Sequence, residues 1–318
     1  MQNSNKKMLL FYSKLSILFA LIIVIGLIFN LYTDRLYDMR HFGAETDKIQ
    51  HLKEIEENKT IFVGGSSVLS GVSAQHYSEI SGEEAINMGL HALEPYDVYL
   101  ATIAPYVQKG DKVILALEYT AYCNKWNEYD DVGLIVAHES KEYFKNAGTK
   151  HKPQYYYQQI LRSYSKVYET LYHNIIEVRL KGEEKAYLRK NINEYGDIKP
   201  EINADTENPQ PQKYSLEITK EAANEISCYI QKYEQKGAKV YVVFPPIYTD
   251  IDIKSNKKNI DAFYKQMQDF FGKNRVLGYP TDWMFNTGEK FWDTGYHLNA
   301  EACREHTEYY YNLIRSAE

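Results

Sequence analysis

The amino-acid sequence predicts an α/β protein in which a parallel sheet lies between two layers of helices, preceded by one transmembrane helix and carrying a helical insertion. Three observations predict this fold class. A long apolar segment lies near the N-terminus, short β-branched apolar segments each run into a turn, and amphipathic segments with helical spacing separate them. Because a strand, a helix and a second strand in succession favour a parallel crossover, a three-layer parallel sheet is the simplest arrangement.

The composition excludes several classes of protein. The chain has 318 residues, of which 44% are hydrophobic and 25% charged, as expected for a globular domain with a sizeable core. A net charge of −6 and the lack of a nucleic-acid-reading motif exclude nucleic acid as the main partner. The three cysteines, Cys123, Cys228 and Cys303, form no CxxC pair, and the carboxylates and histidines lack metal-ligand spacing. The sequence therefore indicates neither a metal nor a cofactor.

The N-terminal 33 residues are predicted to be an uncleaved signal anchor. Three lysines precede an apolar run over residues 15–31. At roughly 1.5 Å per helical residue, this run and its aromatic flanks can cross a hydrocarbon core of about 30 Å. A cleaved signal peptide would have a shorter run that ends in small residues, whereas residues 28–32 are bulky. We expect a single-pass protein of the cell membrane whose soluble domain is extracytoplasmic, although basic residues flank both ends of the span.

The next residues, 34–59, are charged and show helical spacing at Ile49, Leu52 and Ile55, which predicts a juxtamembrane stalk or a first helix. The soluble α/β domain is predicted over residues 60–318.

The first half of this domain shows strand and helix signals in alternation. An apolar strand over residues 60–63 runs into Gly64-Gly65, and a second short strand is expected over residues 84–89. A helix over residues 95–108 and a buried strand over residues 111–119 follow.

The middle of the chain, residues 124–212, departs from this alternation. It contains an aromatic helical segment and then the polar loop "INADTENPQPQ". We interpret it as a helical insertion or lid.

After the insertion the α/β pattern resumes. The sequence predicts a helix over residues 215–235, a strand "AKVYVVFPP" stopped by two prolines, a helix over residues 256–272 and a short strand from Asn274. Asn299 is a suitable N-cap for the last helix.

Five residues are candidates for nucleophilic chemistry. Ser66 and Ser67 follow the first strand, and Asp293 and His297 share a loop ahead of the last helix. A carboxylate that accepts the Nδ1 proton leaves Nε2 of the histidine to take a hydroxyl proton. Because the loops after parallel strands gather at one edge of a sheet, these groups can meet there. The turn at Gly89 lies at the same edge, so its N–H is a candidate oxyanion donor.

Three segments, "VGGSSVLSG", "INMG" and "DTGYHLN", resemble the motif blocks of the SGNH/GDSL hydrolases, in their membrane-anchored bacterial branch. That branch also holds the D-alanyl-transfer protein of teichoic acid synthesis. The resemblance covers residues 60–119 and 238–314. It implies an SGNH-hydrolase or flavodoxin-like sheet, the catalytic residues Ser66, Asp293 and His297, and oxyanion donors at the N–H groups of Ser66 and Gly89.

The resemblance also implies a reaction. It is acyl transfer or ester hydrolysis on O-acyl groups, with O-acetyl expected, of a cell-surface polysaccharide or other envelope polymer. A multi-span membrane acyltransferase is the partner that could deliver the acyl group across the bilayer.

The chain departs from the pattern of this family in three places. The aspartate before the serine is absent, the spacing from Asp293 to His297 is one residue longer, and "LALEYTAYCN" stands where a Gly-x-Asn-Asp block is expected. Glu118, Tyr119 and Asn124 in that segment are candidates to line the site. These departures leave open an alternative function, a catalytically inactive SGNH-like protein that binds glycans or assembles an envelope-acylation system.

Either serine can be aligned with the first block. With Gly64-Gly65-Ser66 as the block, the spacing to Gly71 is that of the membrane-anchored branch, whereas Gly65-Ser66-Ser67 gives the spacing of secreted esterases. The apolar N-terminal segment favours Ser66 as the nucleophile, and Ser67 is the alternative.

Overall fold

The computed structural model of the chain describes residues 2–39, 43–90, 96–123 and 188–318. The first helix, α1 (Gln2–Met39), contains an apolar stretch over Lys6–Gly26 with a mean hydropathy of 2.4. Its large apolar side chains are exposed. Within the described ranges, α1 is the one helix that is long and apolar enough to cross a membrane, as judged by its length and composition.

The sheet has four parallel strands: β1 (Lys59–Val63), β2 (Glu84–Asn87), β3 (Lys112–Leu115) and β4 (Lys239–Val242). They lie in the order β2-β1-β3-β4. A parallel bridge from Val242 to Val276 continues the sheet beyond β4. The protein is therefore an α/β protein with a parallel sheet, as predicted from the sequence.

Helices cover both faces of this sheet. One face carries α2 (Ala44–Glu54), α5 (Tyr96–Ile103), α6 (Lys220–Gln235) and α7 (Lys257–Phe271); the other carries α3 (Ser66–Gly71), α4 (Ala74–Ser81) and α8 (Ala300–Ala317). The side chains of β1 alternate between the faces, with Ile61 and Val63 in the first core and Phe62 in the second. All three are fully buried, as expected for a central strand.

Several elements are shorter than the sequence predicts. Strand β3 stops at Leu115, since a 3₁₀ turn over Tyr119–Tyr122 follows it closely. Helix α6 starts at Lys220 because the Thr219 side chain accepts the N–H of Ala222 as an N-cap. The strand predicted from Asn274 is reduced to the bridge at Val276.

Helix α2 belongs to the α/β unit. Ile49 and Leu52 are buried in the same core as α5 and α6. The unit therefore begins at least as early as Ala44, before the boundary predicted at residue 60. Of the two alternatives predicted for residues 34–59, a stalk or a first helix, residues 44–54 form a packed helix.

Most of the predicted insertion, residues 124–187, lies outside the described residues. Its end, residues 188–212, contains the 3₁₀ turn Arg189–Asn191 and an antiparallel bridge between Ile192 and Ile198 and is otherwise largely irregular. In this segment the buried carboxylate of Asp197 accepts the N–H groups of Ala74 and Gln75 at the start of α4. Hydrogen bonds to Asp197 thus connect the end of the insertion with helix α4.

Candidate functional site

The turn after β1 requires a close approach of two backbones. A Cβ atom at Gly64 would lie 2.5 Å from the carbonyl oxygen of Ala116, which follows β3. Only glycine fits there without displacing a strand. Helix α3 begins immediately after this turn, at Ser66, so both serines lie at the carboxyl edge of the sheet.

Glu118, which follows the neighbouring strand β3, forms hydrogen bonds with this turn. Its carboxylate accepts the N–H of Gly65 at 3.2 Å, the N–H of Ser67 at 3.1 Å and the hydroxyl of Ser67 at 2.9 Å. The Glu118 residue is 4% exposed. The sequence predicts it as a residue that lines the site, and the structure joins it directly to the serine turn.

The two serines have different surroundings. Ser67 is 1% exposed and donates its hydroxyl proton to Glu118, whereas Ser66 is 8% exposed. No described residue forms a hydrogen bond with the Ser66 hydroxyl or accepts its backbone N–H. Ser66 therefore has the hydroxyl that can react without first breaking a bond to a carboxylate.

Asn87, at the end of β2, fastens the second turn to α3. It is fully buried, and its Nδ2 donates to the carbonyl oxygens of Val68 at 3.0 Å and Val72 at 2.9 Å. Its Oδ1 accepts the N–H of Gly89 at 2.9 Å. One amide side chain therefore fixes both the helix that carries the serines and the turn beside it.

The oxyanion role predicted for Gly89 does not fit this arrangement. The Gly89 N–H is committed to Asn87, so it is not available to a developing oxyanion in this structure. The carbonyl of Gly89 accepts a hydrogen bond from the buried Lys48. The glycine is still required, because a Cβ atom there would lie 2.4 Å from the backbone nitrogen of Leu69.

Asp293 and His297 form a hydrogen-bonded pair on one hairpin. The Nδ1 of His297 lies 2.7 Å from Oδ1 of Asp293, and His297 is 6% exposed. An antiparallel bridge between Phe291 and Leu298 closes the hairpin, and the Trp292 N–H donates to the His297 carbonyl at 2.7 Å. This geometry is what an oriented general base requires, although the catalytic roles of both residues stay predictions.

A small second sheet supports the hairpin. It consists of the parallel strands β5 (Ile247–Tyr248) and β6 (Met284–Phe285). The Tyr248 N–H donates to the Gly295 carbonyl at 2.7 Å. A Cβ atom at Gly295 would lie 2.8 Å from the carbonyl oxygen of Gln210, so the hairpin is confined on this side as well.

One buried cluster connects the hairpin with the helix that carries the serines. Trp292 shares a buried cluster with Leu69, which lies on α3. Burial, followed by the charge of Glu118, raises the pKa of the Tyr296 phenol on this hairpin. No hydrogen bond joins Ser66 to His297 in the described structure, and catalytic hydrogen bonds of this kind commonly tighten only when substrate binds.

The remaining sequence candidates are placed differently. Tyr119 is fully buried, packs against Tyr214 and Phe263, and donates its hydroxyl to the Pro280 carbonyl at 3.2 Å. It is a core residue, and the prediction that it lines the site is wrong because the 3₁₀ turn directs it inward. Asn124 lies outside the described residues.

No metal or disulfide feature adds to this site. In the part of the chain that the structure describes, no three His, Cys, Asp or Glu side chains are grouped so as to hold a metal ion. The three cysteines, Cys123, Cys228 and Cys303, are free thiols.

Sequence reasoning missed Asn87 and Tyr296. Asn87 carries a signal in the sequence, since a side-chain amide in the buried strand "EAIN" requires hydrogen-bond partners. Tyr296, next to the candidate base, carries no such signal, because tyrosine is abundant throughout this chain. Comparisons of the chain with protein-family models, with curated proteins and with solved structures give no match.

Proposed function

We propose that this chain is a membrane-anchored serine esterase or acyltransferase of the SGNH type. The observation that carries the proposal is the position of Ser66. Its hydroxyl has no hydrogen bond within the described residues, and it lies at the carboxyl edge of the sheet. Its helix shares a buried cluster with Trp292, which lies on the hairpin of the Asp293–His297 pair. The strand order, with its bridge beyond β4, is that of flavodoxin-like sheets and supports this fold type.

The chemistry proposed for these groups is acyl transfer in two steps. Nε2 of His297 takes the hydroxyl proton of Ser66 while Asp293 holds the Nδ1 proton. The Ser66 oxygen attacks the ester carbonyl, and the tetrahedral intermediate expels the alcohol, which receives the proton from His297. The resulting acyl ester on Ser66 is then cleaved by water or by a sugar hydroxyl, with His297 again acting as the base.

One donor for the oxyanion is identified among the described residues. The N–H of Ser66 donates to no described acceptor, and it belongs to the nucleophile itself. An N–H in this position is aimed at the oxygen that develops negative charge as the bond to Ser66 forms. The N–H of Gly89 would serve only after Asn87 had released it.

The proposed substrate is an O-acylated cell-surface polysaccharide or other envelope polymer, with O-acetyl the expected group. Helix α1 supports attachment to the membrane by its length and hydropathy. An extracytoplasmic domain on such an anchor would meet newly made surface polymers. A multi-span membrane acyltransferase would be the donor in the transferase case.

A serine-directed fluorophosphonate tests the proposal on the full-length protein in detergent. We expect the wild type to be labelled at Ser66, Ser66→Ala to lose the label and Ser67→Ala to keep it. Ser70→Ala, a change of another buried serine of α3, is the matched control and should label normally. His297→Ala should slow labelling by about 10²-fold or more, the usual worth of a general base.

The outcome that contradicts the proposal is also defined. Labelling that persists in Ser66→Ala rules out Ser66 as the nucleophile. If the wild type is not labelled, and His297→Ala cells keep normal envelope acylation while deletion of the protein abolishes it, the chain is an assembly protein and not an enzyme.

A further inference from the structure

We propose that Glu118 is a positioning residue for the nucleophile, because its carboxylate fixes the serine turn and engages Ser67, which leaves Ser66 to react. This inference rests on the proposed function. Its basis is the set of three hydrogen bonds from Gly65 and Ser67 to one buried carboxylate.

The carboxylate satisfies donors that the turn cannot satisfy itself. The first N–H groups of a helix have no partner within the helix, and when they are buried they need an acceptor. Here the acceptor for Gly65 and Ser67 is the carboxylate of Glu118, which follows β3 and lies more than fifty residues away in sequence. Hydrogen bonds to an ionised acceptor are stronger than those between neutral groups. The main-chain path on either side of Ser66 is therefore fixed by Glu118.

The same carboxylate separates the roles of the two serines. The hydroxyl of Ser67 donates to Oε1 of Glu118, so its direction is set by that bond. Ser66 lies between Gly65 and Ser67, whose N–H groups both donate to Glu118. Its own N–H and hydroxyl form no hydrogen bond with a described residue. The hydrogen bonds to Glu118 thus leave the Ser66 hydroxyl available to react and keep the Ser67 hydroxyl bonded.

The charge of Glu118 has a second consequence. In the family that the sequence resembles, this strand end is expected to carry an asparagine that donates to the oxyanion. An ionised carboxylate accepts and does not donate, and it repels a developing negative charge. The oxyanion must therefore form on the side of Ser66 away from Glu118, next to the Ser66 N–H. Glu118 would in this way fix the face from which the ester carbonyl approaches.

The test compares Glu118→Gln with a matched change at the other end of β3. Asp111 is also buried, and its carboxylate accepts the backbone N–H groups of Lys59 at 3.2 Å and Gln108 at 2.9 Å. Asp111→Asn therefore removes a buried charge at the opposite end of β3 from the serine turn, together with the ion pair that Asp111 forms with the buried Lys59 at 3.2 Å. Both variants are made in the full-length protein, and labelling rates with fluorophosphonate are measured across pH, together with kcat and KM on p-nitrophenyl acetate.

We expect Glu118→Gln to lower the labelling rate and kcat by about 10²-fold, the usual effect of misplacing a reacting group, with KM little changed. Glu118→Asp, which keeps the charge, should recover part of this loss. Asp111→Asn should label at the wild-type rate wherever it is folded. Equal losses in Glu118→Gln and Asp111→Asn, or no loss in Glu118→Gln, would overturn the proposal. Labelling of the wild type at Ser67 would overturn it as well.

Amide hydrogen exchange of the peptide covering residues 60–71 separates this proposal from the proposed function. Faster exchange at the Gly65 and Ser67 amides in Glu118→Gln, with normal labelling of the wild type, supports the positioning role. Faster exchange in Glu118→Gln, together with a wild type that is not labelled, shows that Glu118 holds the turn and that the proposed enzymatic function is wrong. Unchanged exchange shows that Glu118 does not hold the turn.

Discussion

Replacing Asn87 by alanine should destabilise the α/β unit more than any exposed asparagine would. The side chain is fully buried, and its removal takes one hydrogen bond each from the carbonyls of Val68 and Val72 and from the N–H of Gly89. The Val68 carbonyl keeps its second hydrogen bond, from the N–H of Val72 at 3.2 Å. At about 1 kcal/mol for each hydrogen bond, the expected loss is about 3 kcal/mol. For a domain of this size, that corresponds to a fall in Tm of roughly 10 °C.

The assay is thermal unfolding of the full-length protein in detergent, followed by circular dichroism. Asn312→Ala is the control, since Asn312 is exposed on α8 and its side chain forms no hydrogen bond with a described residue. We expect this control to unfold within 2 °C of the wild type, consistent with about 0.5 kcal/mol for a surface change. A Tm for Asn87→Ala that matches the control would refute the reasoning, because it would mean that the three backbone groups find other partners.

Two further predictions concern the same side of the sheet. Gly89→Ala should cost about 1–3 kcal/mol, the usual range for overpacking, because its Cβ would lie 2.4 Å from the nitrogen of Leu69; a urea midpoint equal to that of the wild type would contradict this. Burial lowers the pKa of His306 to about 3, whereas an unfolded histidine titrates near 6.5. The unfolded state therefore binds the extra proton between these values, so this histidine makes stability fall as pH drops from about 6.5 toward 3. His306→Gln should flatten that fall in urea titrations at pH 7 and pH 4.5, and an unchanged pH dependence would show that His306 is not its source.

Much of the sheet could be predicted from the sequence because its signals are local. The strand at residues 60–63 is apolar, β-branched and followed by two glycines, and Asn299 caps α8 through the N–H of Ala302 as its position suggests. Element ends were less predictable. The start of α6 depends on the cap at Thr219, which lies within a stretch whose apolar spacing already resembles a helix.

The candidate site shows the same difference between features with local sequence signals and features that depend on the tertiary structure. Asp293 and His297 are four residues apart in one loop, so their pairing follows from the sequence. The partner of Glu118 is more than fifty residues away and depends on how β1 and β3 align. For Gly89, the sequence places the residue at the correct edge, but the direction of its N–H is set by the Asn87 side chain. Hydrogen-bond direction is a property of three-dimensional register, and a single sequence does not contain it.

The hairpin of residues 291–298 has a mechanical consequence for any enzyme built on this chain. Asp293 and His297, the proposed orienting carboxylate and base, lie on one short element that is closed at Phe291 and Leu298 and supported by Tyr248. If this hairpin moved, the pair would therefore translate and rotate as a unit. In the proposed enzyme, such a movement would change one separation, that between this hairpin and α3, and would keep Asp293 and His297 together.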